Sequence, residues 1–404
     1  MAGNYLERGY TRMYQRRLRD LDDDEDEPAS DPEPSHDDEP GPGEPRVRGE
    51  ARPPASGEPS RPVFEPADPF VDKGPAHNGA VSSVEHWQLR NLLVALPPPG
   101  GDGEGGPRLY MPHERTVREY WPQQTKWRDA LALQYKPTCV TAAGEVLAAG
   151  GSAGQVDVVR LRADGREEAS DRGSATVGPT VANALHLPPC GDPRLYVSTN
   201  EAVVQVYDVA TMREESRLEY PVAVNHACPS PDGSLICAVG DGTDAYLTPG
   251  AGQGVSRHTV MPAVATDVGM CCAWSPGGTC VATAWQDGTV CVVEARAPSR
   301  PLLRARLPAA ARAIAFSGPG AALLAVTEDA GYCHVMDTRD WGAYQTLQCW
   351  DTGPEGRRPP SADLSGLAFS PAGDALYVGC SHEGAAEFRV RVDERRTFAR
   401  GGTL

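Results

Sequence analysis

With 404 residues the chain is long enough to bury a large core, but its 38 prolines and 43 glycines demand many turns, an unpaired tail, or both. A formal net charge of -17 repels phosphate backbones, and no nucleic-acid partner is expected.

Residues 1–19 carry five arginines and one glutamate, and Tyr10, Met13, Tyr14, Leu18 and Leu21 stand at helix-like spacing. That pattern fits a short amphipathic helix, either a partner-docking segment or a transient helix without function. Residues 20–44, DLDDDEDEPASDPEPSHDDEPGPGE, hold thirteen acids and neither Lys nor Arg. Such a run cannot bury enough apolar surface to offset its ordering entropy, so residues 1–80 are predicted to be a disordered acidic tail. The chain opens Met-Ala-Gly without a secretory signal, a transmembrane run or a myristoylation start. The expectation is an intracellular protein, cytoplasmic or nuclear, with no membrane partner.

From residue 81 onward the chain is repetitive. Four segments align on a turn serine: HACPSPDGSLICAVGDGTDAYL, CCAWSPGGTCVATAWQDGTVCVVEA, AIAFSGPGAALLAVTEDAGYCHVMD and GLAFSPAGDALYVGCSHEGAAEFRV. The serines are Ser230, Ser275, Ser317 and Ser370, spaced 45, 42 and 53 residues apart. Each unit has three short apolar runs divided by turn residues, and a connecting stretch such as RPLLRARL supplies a fourth. Four strands per roughly 40 residues is the signature of a propeller blade. Weaker copies at residues 181–212, 138–161 and 86–121 bring the total to seven. The predicted fold is an all-β, seven-bladed β-propeller over residues 81–398. Its ring closes through residues 81–86 or through a C-terminal strand.

The turn placement resembles WD-repeat (WD40) propellers. The blocks HWQLRNLLVA, YPVAVNHACPSPDGSLICAVGD, CCAWSPGGTCVATAWQDGTVCVVEAR and DLSGLAFSPAGDALYVG resemble, more narrowly, an uncharacterised WD-repeat family of fungi and plants. That resemblance covers about 320 residues. It implies an acidic N-terminal segment before the propeller, a short domain of unknown function within the last blade at residues 363–392, and no assigned activity. The chain departs from the common repeat because the Trp-Asp pair that ends a third strand is missing. Tyr207-Asp208, Val293-Glu294 and Met336-Asp337 stand there instead, and the one literal pair, Trp350-Asp351, falls a strand too late. Without the tryptophan and its histidine partner, the blades are expected to rely on apolar packing more than on polar networks.

Motifs of catalysis match only in letters. Residues 150–154, GGSAG, fit the serine-nucleophile elbow, but the alternating strand QVDVVRL follows where a helix is required, which places Ser152 in a hairpin turn. Residues 101–106, GDGEGG, fit a phosphate loop, yet they are acidic and precede a strand. Eleven cysteines, all beyond residue 138, lack C-x-x-C spacing and read as small buried hydrophobes, and no histidine pair suggests a metal. Cys271 and Cys272 are adjacent in a strand and must point apart, which makes a four-cysteine cage hard to build. Arg395-Arg396 is only an echo of a phosphoinositide motif.

No enzyme, cofactor or metal site is therefore expected. The two residues singled out are Arg296 in VVEAR and Arg339 in VMDTR, which follow blade-ending acids in consecutive blades. Their placement resembles the W-D-x-R pattern of propellers that dock on cullin-RING ubiquitin-ligase adaptors. An arginine there can project from one face toward an acidic or carbonyl-lined groove, or can pair with its own turn acid, Asp287 or Asp329. The expected function is a monomeric, non-catalytic protein-interaction scaffold. The alternative is a ubiquitin-ligase substrate receptor.

Overall fold

The computed structural model describes residues 69–84, 91–99, 105–162, 171–189, 193–250, 258–261, 264–318, 320–329, 331–349, 363–381 and 384–391. The acidic run, the N-terminal helix candidate, Trp350-Asp351 and Arg395-Arg396 lie outside them.

The described residues form 28 strands. β1 (Val71–His77) comes first, followed by blade one, β2 (Val94–Leu96), β3 (Arg108–His113), β4 (Thr116–Trp121) and β5 (Lys126–Ala132). Blade two is β6 (Pro137–Ala143), β7 (Val146–Gly151), β8 (Gln155–Arg160) and β9 (Arg172–Thr176); blade three is β10 (Ala182–His186), β11 (Arg194–Thr199), β12 (Val203–Asp208) and β13 (Arg213–Glu219). Blade four is β14 (Val224–Pro229), β15 (Leu235–Gly240), β16 (Ala245–Pro249) and β17 (Thr259–Met261); blade five is β18 (Gly269–Trp274), β19 (Cys280–Trp285), β20 (Thr289–Glu294) and β21 (Pro301–Arg306). Blade six is β22 (Ala311–Phe316), β23 (Leu323–Glu328), β24 (Tyr332–Asp337) and β25 (Tyr344–Gln348), and blade seven is β26 (Leu364–Phe369), β27 (Ala375–Cys380) and β28 (Gly384–Val390), with β1 as its outer strand. Each blade is a four-stranded antiparallel sheet, and there are seven, as the repeat count predicts.

Ring closure is the point where the sequence reading needs correction. Residues 81–84 form no strand; the closing strand is β1, ten residues earlier, which pairs antiparallel with β28 from Val71↔Val390 to His77↔Ala385. Pairing the first strand with the last leaves β28 without a free edge on which another chain could add. Gln345 of β25 clamps the closure from blade six: its Oε1 accepts the Phe70 and Val71 amides at 2.9 and 3.1 Å, and its Nε2 donates to Val71 O at 3.0 Å. Arg391 adds a two-pronged pair to Asp72 at 2.7 and 2.8 Å.

The four aligned serines perform one task. Ser230, Ser275, Ser317 and Ser370 each accept, on Oγ, the amide of the residue opening the second strand (Leu235, Cys280, Leu323 and Ala375), all at 3.0 Å. This clip sets the register of the first hairpin in each blade. Second strands are buried along nearly their whole length because adjacent blades cover both faces, which is why LICAV, CVATA, LLAV and ALYVG read as continuous apolar runs. Outer strands such as β13 and β21 are largely exposed.

In blades two to five the ladder slips beside the second residue of the inner strand, at Thr138, Asn183, Asn225 and Met270. A bulge re-aims a side chain, and here it directs three of them toward the next blade. Thr138 Oγ1 donates to Ala182 O at 3.1 Å, Asn183 Nδ2 to Val224 O at 2.9 Å and Asn225 Nδ2 to Gly269 O at 2.9 Å.

Beside the apolar packing expected of the blades, most of them also carry a local polar network. In blade one Glu119 accepts Arg108 Nη1 at 3.1 Å, Tyr110 Oη at 2.9 Å and Arg128 Nε at 2.6 Å. The mid-strand position of the third strand is polar in other blades too, and meets a polar partner on or beside the fourth strand. Asp157 takes Arg172 and Ser174, Gln205 takes Glu214, Thr248 takes His258, His334 takes Thr346 and Glu387 takes His77. Blade five puts Cys291 there and instead joins Trp285 Nε1 to Thr283 Oγ1 within β19, at 2.9 Å. The missing Trp-Asp network is replaced by a varied set of local ones.

Candidate interaction face

Antiparallel order fixes the two faces of the ring. Turns after the first and third strands of each blade lie at one end, and turns after the second and fourth lie at the other. The serine clips, Arg296 (between β20 and β21) and Arg339 (between β24 and β25) therefore share a face, one blade apart. Asp287 and Asp329 follow second strands and lie on the opposite face. A six-residue third strand separates them from the arginines by about 20 Å.

That separation removes both expected pairings. Asp287 instead accepts the Thr266 amide at 2.9 Å, Thr266 Oγ1 at 2.7 Å and the Thr289 amide at 2.9 Å, which ties its turn to the preceding loop. Arg339 folds back on the blade-ending acid two residues away. Its Nε and Nη2 donate to the Asp337 carboxylate at 3.0 and 2.7 Å, and its amide adds a third bond at 2.9 Å. The Asp337 carboxylate raises the Arg339 pKa and keeps the guanidinium charged and oriented.

Arg296 differs. It is exposed at the turn that follows Glu294, itself exposed, and its guanidinium has no hydrogen-bond or ion-pair partner among the described residues. The turn is fixed by its backbone: the Ala295 amide donates to Thr279 O at 2.9 Å, and the Ala297 amide to Glu294 O at 3.0 Å. A free cation on a pinned turn presents five donors to whatever docks there. The apolar residues that replace the tryptophan, Tyr207, Val293 and Met336, are buried as the packing role requires.

Ser152 sits in the tight turn between β7 and β8, as the alternating strand after it predicts. Gly154 closes that turn at φ +73, and a Cβ there would meet Gly178 O at 2.0 Å, so the motif's second glycine serves blade packing. Gly105 and Gly106 precede strand β3, and no helix follows them.

The cysteines divide by blade as strand geometry demands. Cys271 packs toward blade six, with Ile314 and Leu324, while Cys272 packs toward blade four, with Cys228 and Val239. Sequence reasoning separated this adjacent pair correctly but did not see what lies across the blade boundary. Relative to the turn serines, Cys228 stands two residues before Ser230 and Cys272 three before Ser275, nearly level on adjoining inner strands. That offset was the available signal.

A family model described as an uncharacterised protein domain (DUF2415) matches residues 309–347, which is the span of blade six and not the residues 363–392 of blade seven. An uncharacterised protein of Schizosaccharomyces pombe is 25% identical over 320 residues, covering 75% of this chain and 88% of its own length. Among solved structures, a chain of the crystal structure of a mitotic checkpoint complex superposes with a TM-score of 0.61 at 13% identity, covering 85% of this chain and 98% of that one. At that identity the likeness speaks for the fold alone. WD40 propellers are typically non-catalytic platforms for protein contacts. The seven-bladed ring, the matched domain and the yeast relative together fit the resemblance to an uncharacterised WD-repeat family.

Proposed function

We propose that this protein is a non-catalytic interaction scaffold that receives its partner on the face carrying the serine clips and Arg296. The observation that supports this reading is the exposed Arg296 guanidinium, without a partner among the described residues, on a turn whose backbone is already fixed. Such a group docks without losing an existing ion pair and without ordering a loop, so most of its charge-assisted bonding is retained as affinity. An acidic or carbonyl-rich partner surface is the matching chemistry. The alternative, a ubiquitin-ligase substrate receptor, needs both arginines to reach an adaptor. Arg339 would first have to leave Asp337, and that cost weighs against it.

Co-purification from native extract with wild type, Arg296→Ala and the Arg296→Ala/Arg339→Ala double variant separates the two. The scaffold reading expects Arg296→Ala alone to deplete the recovered partners. Undiminished recovery in all three would overturn it, and a ligase adaptor recovered by wild type and lost only in the double variant would favour the receptor.

A further inference from the structure

The boundary between blades four and five holds a donor set that the scaffold role does not use. His226 and Cys228 are two residues apart on β14, past the bulge at Asn225, so both project from the same side of the strand. Cys272 reaches them from β18, the inner strand of the next blade. His226 Nδ1 lies 3.3 Å from Cys272 Sγ, and Cys228 Sγ lies 3.4 Å from Cys272 Sγ. All three donor atoms fall within 4.8 Å of one another, and all three residues are buried.

The separations of 3.3 and 3.4 Å from Cys272 Sγ are close to those of a filled site. Zinc bonds of about 2.3 Å to sulfur and about 2.0 Å to nitrogen set donors about 3.5–3.8 Å apart around a tetrahedron. The Cys272 amide donates to Nδ1 at 3.4 Å, which leaves the hydrogen on Nε2, and metal binding at Nδ1 would replace this long bond. Among the described residues Nε2 is buried without a hydrogen-bond partner, and the hydrogen-bonding contacts of this ring are to Cys272. Cys237 adjoins: it pairs across the ladder with Cys228, and its carbonyl is 3.4 Å from Cys272 Sγ.

We propose that His226 Nδ1, Cys228 Sγ and Cys272 Sγ form a structural site for a thiophilic divalent cation of the zinc class, which staples blade four to blade five. Binding replaces two S–H bonds with two metal–thiolate bonds and releases two protons, with no change of oxidation state. Two thiolates and a neutral imidazole offset the charge of a divalent ion, as a dry interior requires. Three donors leave one position of a tetrahedron to a further ligand. Because the donors are buried, the ion enters as the blades fold together.

Metal content of the full chain, produced in zinc-supplemented medium and purified under reducing conditions, tests the proposal directly. About one zinc per chain is expected. Refolding the stripped wild type with Co²⁺ should produce a thiolate-to-cobalt charge-transfer band. Cys271→Ala, which alters the neighbouring thiol on the opposite face, should keep that band, and Cys272→Ser should lose it. Wild-type protein without zinc, and without the band on refolding with Co²⁺, would overturn the site whether or not Cys272→Ser folds. A band that persists in well-folded Cys272→Ser would overturn it as well.

Discussion

Glu119 offers the sharpest test of how the blades are held. Its side chain is 0% exposed, and it faces Arg108, itself only 7% exposed, and Arg128, at 31%. Glu119→Ala removes three charge-assisted bonds at once and leaves the groups unequally placed. Arg128 can turn to water. Arg108 cannot, and its remaining anchor is the Pro97 carbonyl at 2.9 Å. Tyr110, whose hydroxyl bonds Glu119 at 2.9 Å, also loses its acceptor. Breaking a buried pair by removing one member costs about 3–5 kcal/mol, a large share of a typical stability of about 5–15 kcal/mol. Replacing both members by apolar residues of similar volume, as in Glu119→Leu/Arg108→Met, is often close to neutral. Urea unfolding followed by tryptophan fluorescence should therefore place the double variant above Glu119→Ala and below wild type by the cost of the unsatisfied Tyr110 hydroxyl, about 1–3 kcal/mol. Glu119→Ala within about 1 kcal/mol of wild type would refute the claim that this network stands in for the missing Trp-Asp contacts.

Other consequences follow from the same geometry. Ser370 Oγ accepts the Asp374 and Ala375 amides and donates to Asp374, whereas Ser275 Oγ accepts the Cys280 amide. Ser370→Ala should therefore cost more than Ser275→Ala, about 2 against about 1 kcal/mol by urea unfolding, and the reverse order would contradict the clip. A chain beginning at residue 81 lacks β1 and exposes the β28 edge, so it should self-associate in light scattering, while one beginning at residue 69 stays monodisperse. Asp232, whose pKa is lowered to about 2 by bonds from Ser230 and Ser234, stabilises the fold fully above its ordinary pKa of 3.8. That contribution fades as pH falls through 2, so Asp232→Asn should be less stable than wild type at pH 7 and indistinguishable from it in strong acid. The side chain is exposed, which limits the difference to under about 1 kcal/mol. A gap that widens toward low pH would contradict the assignment.

Much of the fold was legible because blade geometry writes itself into spacing. The turn serines recur where each hairpin needs a clip, and second strands read as unbroken apolar runs because neighbouring blades cover both faces. Closure was not legible. β1 reads VDKGPAH, with only its end residues buried, and it is recognised as a strand by its pairing with β28 and the reach of Gln345. The polar networks were hidden for a related reason. Glu119, Asp157 and His334 look like surface residues until the register sets each against a partner on the fourth strand. Arg296 was legible as a position, but its freedom was not. Equivalent letters follow the acid in blades five and six, yet only in blade six is the acid turned to hold the arginine. The His226, Cys228 and Cys272 group needs contact between blades, which spacing within one repeat does not contain.

The central claim is that binding occurs on the face of Arg296, and charge reversal on the two faces tests it most directly. Lys136, exposed in the loop between β5 and β6, lies on the opposite face and serves as the control. Partner recovery from native extract, quantified by mass spectrometry for wild type, Arg296→Glu and Lys136→Glu, should fall about tenfold or more for Arg296→Glu and stay level for Lys136→Glu. Loss of partners in Lys136→Glu with full recovery in Arg296→Glu would contradict the account.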